Sequence, residues 1–410
     1  MRWALVNAYQ DVSLARHDEF TRMKPLEGLR ILSLEVWGAG PYGSQLLAAL
    51  GAEIVKIENP GTGGDPARNV GPHLLGEADS QYFQAWNTSK KSVTLDLKSA
   101  EGKRDFAQLL KSSVAVINNL RGDQPAKLGL EYGELGKINP AIVCAHISAY
   151  GRDNERAAWP GYDFLMQAEA GLMSLTGEPD GPPARFGPSI IDFMTGTTAM
   201  VGLLACLVNA QRTGRGCDVD VSLFDVALHQ LNYSATWALN TDQVPTRLER
   251  SSHFSVAPVQ TFPTADGWVF IMCMSDKFWL ELLKALDLMP LADDTRFATG
   301  NLRHYHRREL TAALDSGFRR RTTAEWLARL AGVLPVGPVY DVRQALDSPF
   351  AARSGMIQNV PHPEKNDLRV LTSPIKVNGE RAELTAAPAL GAHNDELLGE
   401  HADGAKARRG

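Results

Sequence analysis

Between residues 30 and 147 the chain alternates short apolar runs with stretches of helical spacing, and few folds accept that alternation. Arg30 to Val36, Glu53 to Ile57, Ser92 to Leu97, Val114 to Ile117 and Ala141 to Ile147 read as strands, while Ser44 to Leu50 and Glu101 to Lys111 read as helices. Strands separated by helices cannot pair as hairpins. They must cross over and pair in parallel, with helices covering both faces of the sheet. The first strand is followed by VWGAGPYG, residues 36–43, so a GxGxxG pattern stands between a strand and a helix. An acid, Glu58, ends the next strand about twenty residues on, as it would in a dinucleotide fold. Pro41 inside the pattern has no N–H for a phosphate but suits the first turn of a helix. The pattern therefore leaves open a dinucleotide site or a tight turn in a Rossmann-like scaffold.

From Gly161 onward the texture is helical. Phe164, Leu165, Ala168, Leu172 and Leu175 recur at helical spacing, Ile190 to Val208 forms a long helix, and Asp218 to Leu223 alternates like a half-buried strand. Residues 241–346 form a separate, smaller α+β domain. It contains a strand at Trp268 to Ile271, an amphipathic helix at Phe278 to Leu286 and a basic helical tract from Arg303 to Arg321. Pro335, Gly337 and Pro338 mark its exit.

Charge narrows the function classes. With 42 Lys+Arg against 47 Asp+Glu the net charge is −5, which excludes a general affinity for nucleic acid or an anionic membrane surface. An anionic ligand must be held by a local basic cluster. Lys90, Lys91, Arg121 and Lys127 flank expected strands and are the candidates, at the sheet edge where open α/β folds bind ligands. The four cysteines lack C-x-x-C spacing, and the ten histidines lack H-x-x-x-H or H-E-x-x-H spacing, so neither a disulfide framework nor a metal site is expected. No G-x-S-x-G elbow is present. The N-terminus has no apolar core of a leader, and Ala199 to Val208 is too short to span a bilayer, so a cytoplasmic protein without a membrane partner is expected. Asp163, in Trp159-Pro160-Gly161-Tyr162-Asp163, opens a helix. It reads either as a cap or as a carboxylate placed to attack an electrophilic carbonyl.

Several words in order resemble the family III CoA-transferases, a group that includes formyl-CoA transferase, carnitine CoA-transferase and the related α-methylacyl-CoA racemases. They are KPLEGLRILSLE, GAGPYGSQLLAALGAEIVKIENPGTGGDPAR, WNTSKKSVTLDLKSAEGK, LGLEYGELGKINPAIVCAHISAYG, PGYDFLMQAEAGLMSLTGEPDGPP, TGRGCDVDVSLFD, VAPVQTFPTADGWVFI, LADDTRFAT and SPIKVNGE. The resemblance implies a large Rossmann-like domain from residues 24–225 and 350–410, the small domain between them, an N-terminal extension at 1–23, and a homodimer of interlocked rings. It implies acyl-CoA and carboxylate substrates and no cofactor beyond coenzyme A itself.

By the same resemblance Asp163 is the catalytic nucleophile, passing through an aspartyl anhydride and an aspartyl-CoA thioester. Trp37, Gly38 and Ala39 belong to the loop against the pantetheine, and Lys90, Asn119, Arg121 and Lys127 belong to the segments that hold coenzyme A. Three departures stand out: Gly38 where formyl-CoA transferase has glutamine, Asn59 where several relatives are basic, and Ser251 to Ala257 in place of a glycine-run loop. They argue against formate or oxalate; the transferase reading that the resemblance implies is expected to have a small dicarboxylate such as succinate, malate or mesaconate as one partner. The competing reading on the same scaffold is an acyl-CoA racemase or epimerase, which needs an acid/base pair and offers His146 as the partner of Asp163.

Overall fold

The computed structural model describes residues 23–399; all but the last residue of the expected extension 1–23 lies outside the described residues, as does the chain from residue 400. Six strands, β1 (Arg30–Leu34), β2 (Glu53–Glu58), β3 (Lys91–Thr94), β4 (Ala115–Asn118), β5 (Val143–Ser148) and β6 (Cys217–Ser222), form one sheet in the order β3-β2-β1-β4-β5-β6. Every neighbouring pair is parallel. The chain extends the sheet one way from β1 and the other way from β4, which leaves the crevice of a doubly wound sheet at the carboxyl ends of those two strands.

Helices α1 (Ala39–Ala49), α2 (Gln81–Asn87), α3 (Ala100–Lys111) and α4 (Gln124–Leu128) follow β1, β2, β3 and β4, and α5 (Asp163–Glu169), α6 (Ile190–Thr213) and α7 (Leu223–Gln230) complete the set used below. Ser80 and Ser99 cap α2 and α3 by accepting from the N–H groups of Phe83 and Gly102. Leu32, Val55, Val93 and Val116 of the strands pack with Phe106, Leu109 and Leu110 of α3 in one buried cluster.

The differences from the sequence reading lie at element ends. The helix opened by Asp163 stops at Glu169 because Gly171 turns left-handed at φ 88°, so Leu172 and Leu175 do not extend it. The long helix runs past Val208 to Thr213, where Gly214 at φ 70° ends it. The third strand begins at Lys91 and ends at Thr94, leaving Leu95 and Leu97 buried just beyond it.

Contacts divide the described residues into two units: one contains those up to Met166, Gly187–Gln230 and those from Pro349 to residue 399, the other Gln167–Phe186 and Leu231–Ser348. In the first, the C-terminal segment returns to the sheet edge, where the Thr94 N–H donates to Asn394 Oδ1 at 2.9 Å. The second unit holds a three-stranded antiparallel sheet, β7 (Val259–Pro263), β8 (Trp268–Met272) and β9 (Val336–Pro338). Its helices α8 (Asp276–Ala285), α9 (Arg307–Phe318) and α10 (Thr323–Leu330) enclose Phe262, Trp279, Phe318 and Trp326. The basic tract is interrupted at His306, which separates a short helix, Gly300–Tyr305, from α9.

Candidate active site

The crevice holds a cavity of about 290 Å³, walled by Val36 to Ala39 after β1, Asn119 to Arg121 after β4, Ile147 to Ala149 at the end of β5, and Gly161, Tyr162 and Asp192. The first loop is held by a two-way clamp. Val36 N–H donates to Asn119 Oδ1 at 2.9 Å, and Asn119 Nδ2 donates to the Val36 carbonyl at 2.6 Å. Trp37 lies in the left-handed region at φ 63°, a strained backbone for a bulky residue. Its N–H donates to Asp65 Oδ1 at 3.2 Å.

Charged groups buried beneath the loop anchor it from below. Lys56 Nζ donates to the Glu35 carbonyl at 2.7 Å and pairs with Asp65 at 2.9 Å, while Glu35 pairs with Lys90 at 2.8 Å and accepts from Ser44 Oγ at 2.6 Å. Burial pushes the Glu35 carboxyl up, but Lys90 and Lys56 outweigh it and hold the group below its ordinary range. Burial likewise pushes Lys90 down to about 8, against the pull of Glu35. These groups hold one another in a medium where an unpaired charge is costly.

One of the expected ligand residues is engaged within the protein. Lys90, expected to bind coenzyme A, donates to Glu35 Oε1, the Pro41 carbonyl and Asn87 Oδ1 at 2.8, 3.0 and 3.0 Å, and its side chain is fully buried. An ammonium has three donors, so none remains for a ligand. Trp37, Gly38, Ala39, Asn119 and Arg121 are brought together on the cavity wall. Lys127, on α4, is exposed, and Asp123 bridges it to Arg121, accepting from Lys127 at 2.5 Å and from Arg121 at 3.1 and 3.2 Å. Two exposed cations sharing one carboxylate leave a net positive edge.

The glycines of the GxGxxG pattern face protein. A Cβ on Gly38 would lie 2.6 Å from Asp192 Oδ2, on Gly40 2.9 Å from Glu35 Cβ, and on Gly43 2.8 Å from the Gly196 carbonyl of α6. Glu58, the acid a dinucleotide ribose would need, is 3% exposed and receives Arg68 on both oxygens at 2.8 and 2.7 Å, with Ser92 at 2.7 Å. The pattern is thus a packing device at a strand-to-helix turn.

Asp163 opens α5 with its carboxylate at the head of a second helix. Its Oδ2 accepts from the N–H groups of Ile191 and Asp192, at 2.5 and 3.0 Å, in the first turn of α6. Unpaired N–H groups and the positive end of the helix dipole stabilise a negative charge there. The residue is 2% exposed, and it is its neighbours Gly161, Tyr162 and Asp192 that wall the cavity. Asp192 escaped the sequence reading. The signal was a lone acid in the apolar run Ser189-Ile190-Ile191-Asp192-Phe193-Met194. Burial, and then the charge of Asp163, push Asp192 up to about 7.

His146 is engaged on both ring nitrogens. Asn118 Nδ2 donates to Nδ1 at 2.8 Å, which leaves the proton on Nε2 to donate to Asp218 at 2.8 Å. The acid/base partner that a racemase would need is committed to the sheet.

The pattern of CoA-transferase family III matches residues 26–394. The succinate–glutarate CoA-transferase of Agrobacterium fabrum is 31% identical, covering 92% of this chain and 96% of its own. The succinyl-CoA:mesaconate CoA-transferase of Haloarcula hispanica is 33% identical over 92% of this chain and 96% of its own. A crystal structure of a CAIB/BAIF family protein from Brucella suis superposes with a TM-score of 0.81 at 32% identity, covering 92% of this chain and all of that one.

Proposed function

Because the chain belongs to CoA-transferase family III, we propose that it moves coenzyme A from an acyl-CoA to a small dicarboxylate, with Asp163 as the group that takes up the donor acyl unit and then carries coenzyme A to the acceptor. The substrate class rests on relatives named for succinyl-CoA with glutarate or mesaconate. The observation that carries the mechanism is the carboxylate of Asp163 at the amino ends of two helices, beside a cavity at the switch point of the sheet.

A carboxylate attacks a thioester without a base to deprotonate it, and dividing the exchange into acyl transfers lowers each barrier. Asp163 oxygen adds to the thioester carbonyl, the C–S bond breaks, and the electron pair leaves on the thiolate. The thiolate then attacks the aspartyl carbonyl, the anhydride C–O bond breaks and the donor's acid leaves as a carboxylate, which gives an aspartyl-CoA thioester; the acceptor carboxylate then runs the same steps in reverse, ending as its CoA thioester and leaving Asp163 free. One thioester replaces another, so coenzyme A as substrate suffices and no metal or redox group enters. At 2% exposure Asp163 reaches an acyl carbon only when a lining side chain moves aside. Arg121 and Lys127 supply the positive edge for phosphates, and a second cavity of about 210 Å³, sharing Val36 and Leu120 with the first, gives room for the rest of a long ligand. The engaged ring of His146 disfavours the racemase reading. By resemblance the working form is a homodimer.

The test mixes the protein with succinyl-CoA and a panel of carboxylates and identifies new thioesters by mass spectrometry. Asp163→Ala is expected to abolish exchange in a folded protein, and an acyl or CoA adduct is expected on the peptide containing Tyr162-Asp163-Phe164. Retained turnover in the variant removes Asp163 from the mechanism.

A further inference from the structure

Asp163 is paired with a second carboxyl group, the lone acid of the apolar run that opens α6. Asp192 lines the same cavity, its backbone N–H donates to Asp163 Oδ2 at 3.0 Å, and its Oδ2 occupies the space beside Gly38 that any larger residue would fill. Its side chain thus stands against the loop assigned to the pantetheine, and its backbone is bonded to the nucleophile, so one residue touches both.

Resting on the transfer reading above, we propose that Asp192 is a second catalytic residue: held against Gly38, its carboxylic acid donates a hydrogen bond to the acyl carbonyl oxygen while Asp163 attacks the carbonyl carbon. In that step the C–O bond to Asp163 forms, charge gathers on the acyl oxygen, the C–S bond breaks with its electron pair going to sulfur, and Asp192 keeps its proton. A donor aimed at developing negative charge in a site shielded from water is worth far more than the same bond in solution. Burial and the Asp163 carboxylate favour the protonated form, with a midpoint at about 7. Among the described residues, the titratable groups around Asp192 include Asp163 at the start of α5, Arg121 and Tyr162 on the same cavity wall, and Tyr82 of α2, whose phenol is pushed up by burial and then by the charges of Asp192 and Asp65. Gly38 is then a specificity-determining position: a residue with a side chain there displaces the donor.

The experiment follows isotopic succinate into succinyl-CoA between pH 5.5 and 8.5 in the unaltered protein, Asp192→Asn, Asp192→Ala and Gly38→Ala, with circular dichroism to confirm folding. The unaltered protein is expected to lose kcat above about pH 7, tenfold for each further pH unit, as the donor ionises. Asp192→Asn keeps an N–H donor and is expected to be flat across the range. Asp192→Ala is expected to lose about a hundredfold or more in kcat with KM nearly unchanged. If Asp192→Ala does not fold, Gly38→Ala decides, since it displaces the carboxyl without removing it and is expected to lose kcat likewise. The same pH limb in Asp192→Asn, full activity in Asp192→Ala, or an adduct mapped to Asp192 overturns the proposal while the transfer reading stands. An unaltered protein that exchanges no succinate overturns both.

Discussion

Truncating Lys90 leaves the Glu35 carboxylate buried with its main cation gone, and removing one partner of a buried pair costs about 3 to 5 kcal/mol. Lys90→Ala is therefore expected to lower the stability measured by urea unfolding by about that amount. Arg121→Ala, whose guanidinium is half exposed on the cavity rim, is expected to change stability by less than about 0.5 kcal/mol and to raise the KM for acyl-CoA. Equal effects of the two substitutions on KM, with stability untouched, would return Lys90 to the ligand. Asp192 carries the opposite pH signature from an ordinary paired carboxylate. Its folded-state value, about 7, lies above the unfolded one, so between the two the folded protein binds the extra proton and stability falls as pH rises. Asp192→Asn is expected to flatten the decline in unfolding free energy between about pH 4 and pH 7, where each tenfold gain in proton affinity on folding is worth at most about 1.4 kcal/mol. A stability that falls across this window to the same extent in both proteins would contradict the assignment.

Elements were legible in the sequence to the extent that their signals are local. The parallel sheet follows from β-branched runs separated by helical stretches, because that alternation leaves the chain no other way to bury both faces. Ends were less legible, since a glycine such as Gly171 stops a helix through a backbone angle that side-chain periodicity does not encode. The loop residues Trp37, Asn119 and Arg121 were within reach because they stand just after strands that the sequence marks, whereas Asp192 and the buried pairs of Glu35 were not: each matters through a partner tens of residues away. The GxGxxG pattern is the instructive case, because glycine needed for close approach is indistinguishable by spacing from glycine needed for a phosphate. The structure makes the difference testable at the contact of α1 with α6. A Cβ on Gly43 would stand 2.8 Å from the Gly196 carbonyl, and one on Gly196 would press closer still on the Ala39 carbonyl. Backbone cannot move aside as a flexible side chain can, so Gly43→Ala is expected to cost about 1 to 3 kcal/mol in denaturant unfolding. A neutral or stabilising outcome would mean that the pattern is not there for packing.

At the scale of the molecule, α6 has an apolar side facing outward. Val201 and Val208, seven residues apart and thus on one face, are 65% and 58% exposed. Helices that pack on one side only do not ordinarily carry such residues on the other, and the proposed homodimer gives them a covering surface. If the two subunits are linked as rings, as the resemblance implies, dissociation requires unfolding, and association contributes directly to stability. Light scattering is then expected to give about twice the chain mass at all micromolar concentrations, and the unfolding midpoint is expected to rise with protein concentration. Two differently tagged preparations, mixed in their folded state, are expected to form no hybrid, while hybrids appear after joint unfolding and refolding. Rapid hybrid formation under native conditions would mean an ordinary two-fold contact, and a monomer mass at every concentration would mean that the exposed valines have some other cover.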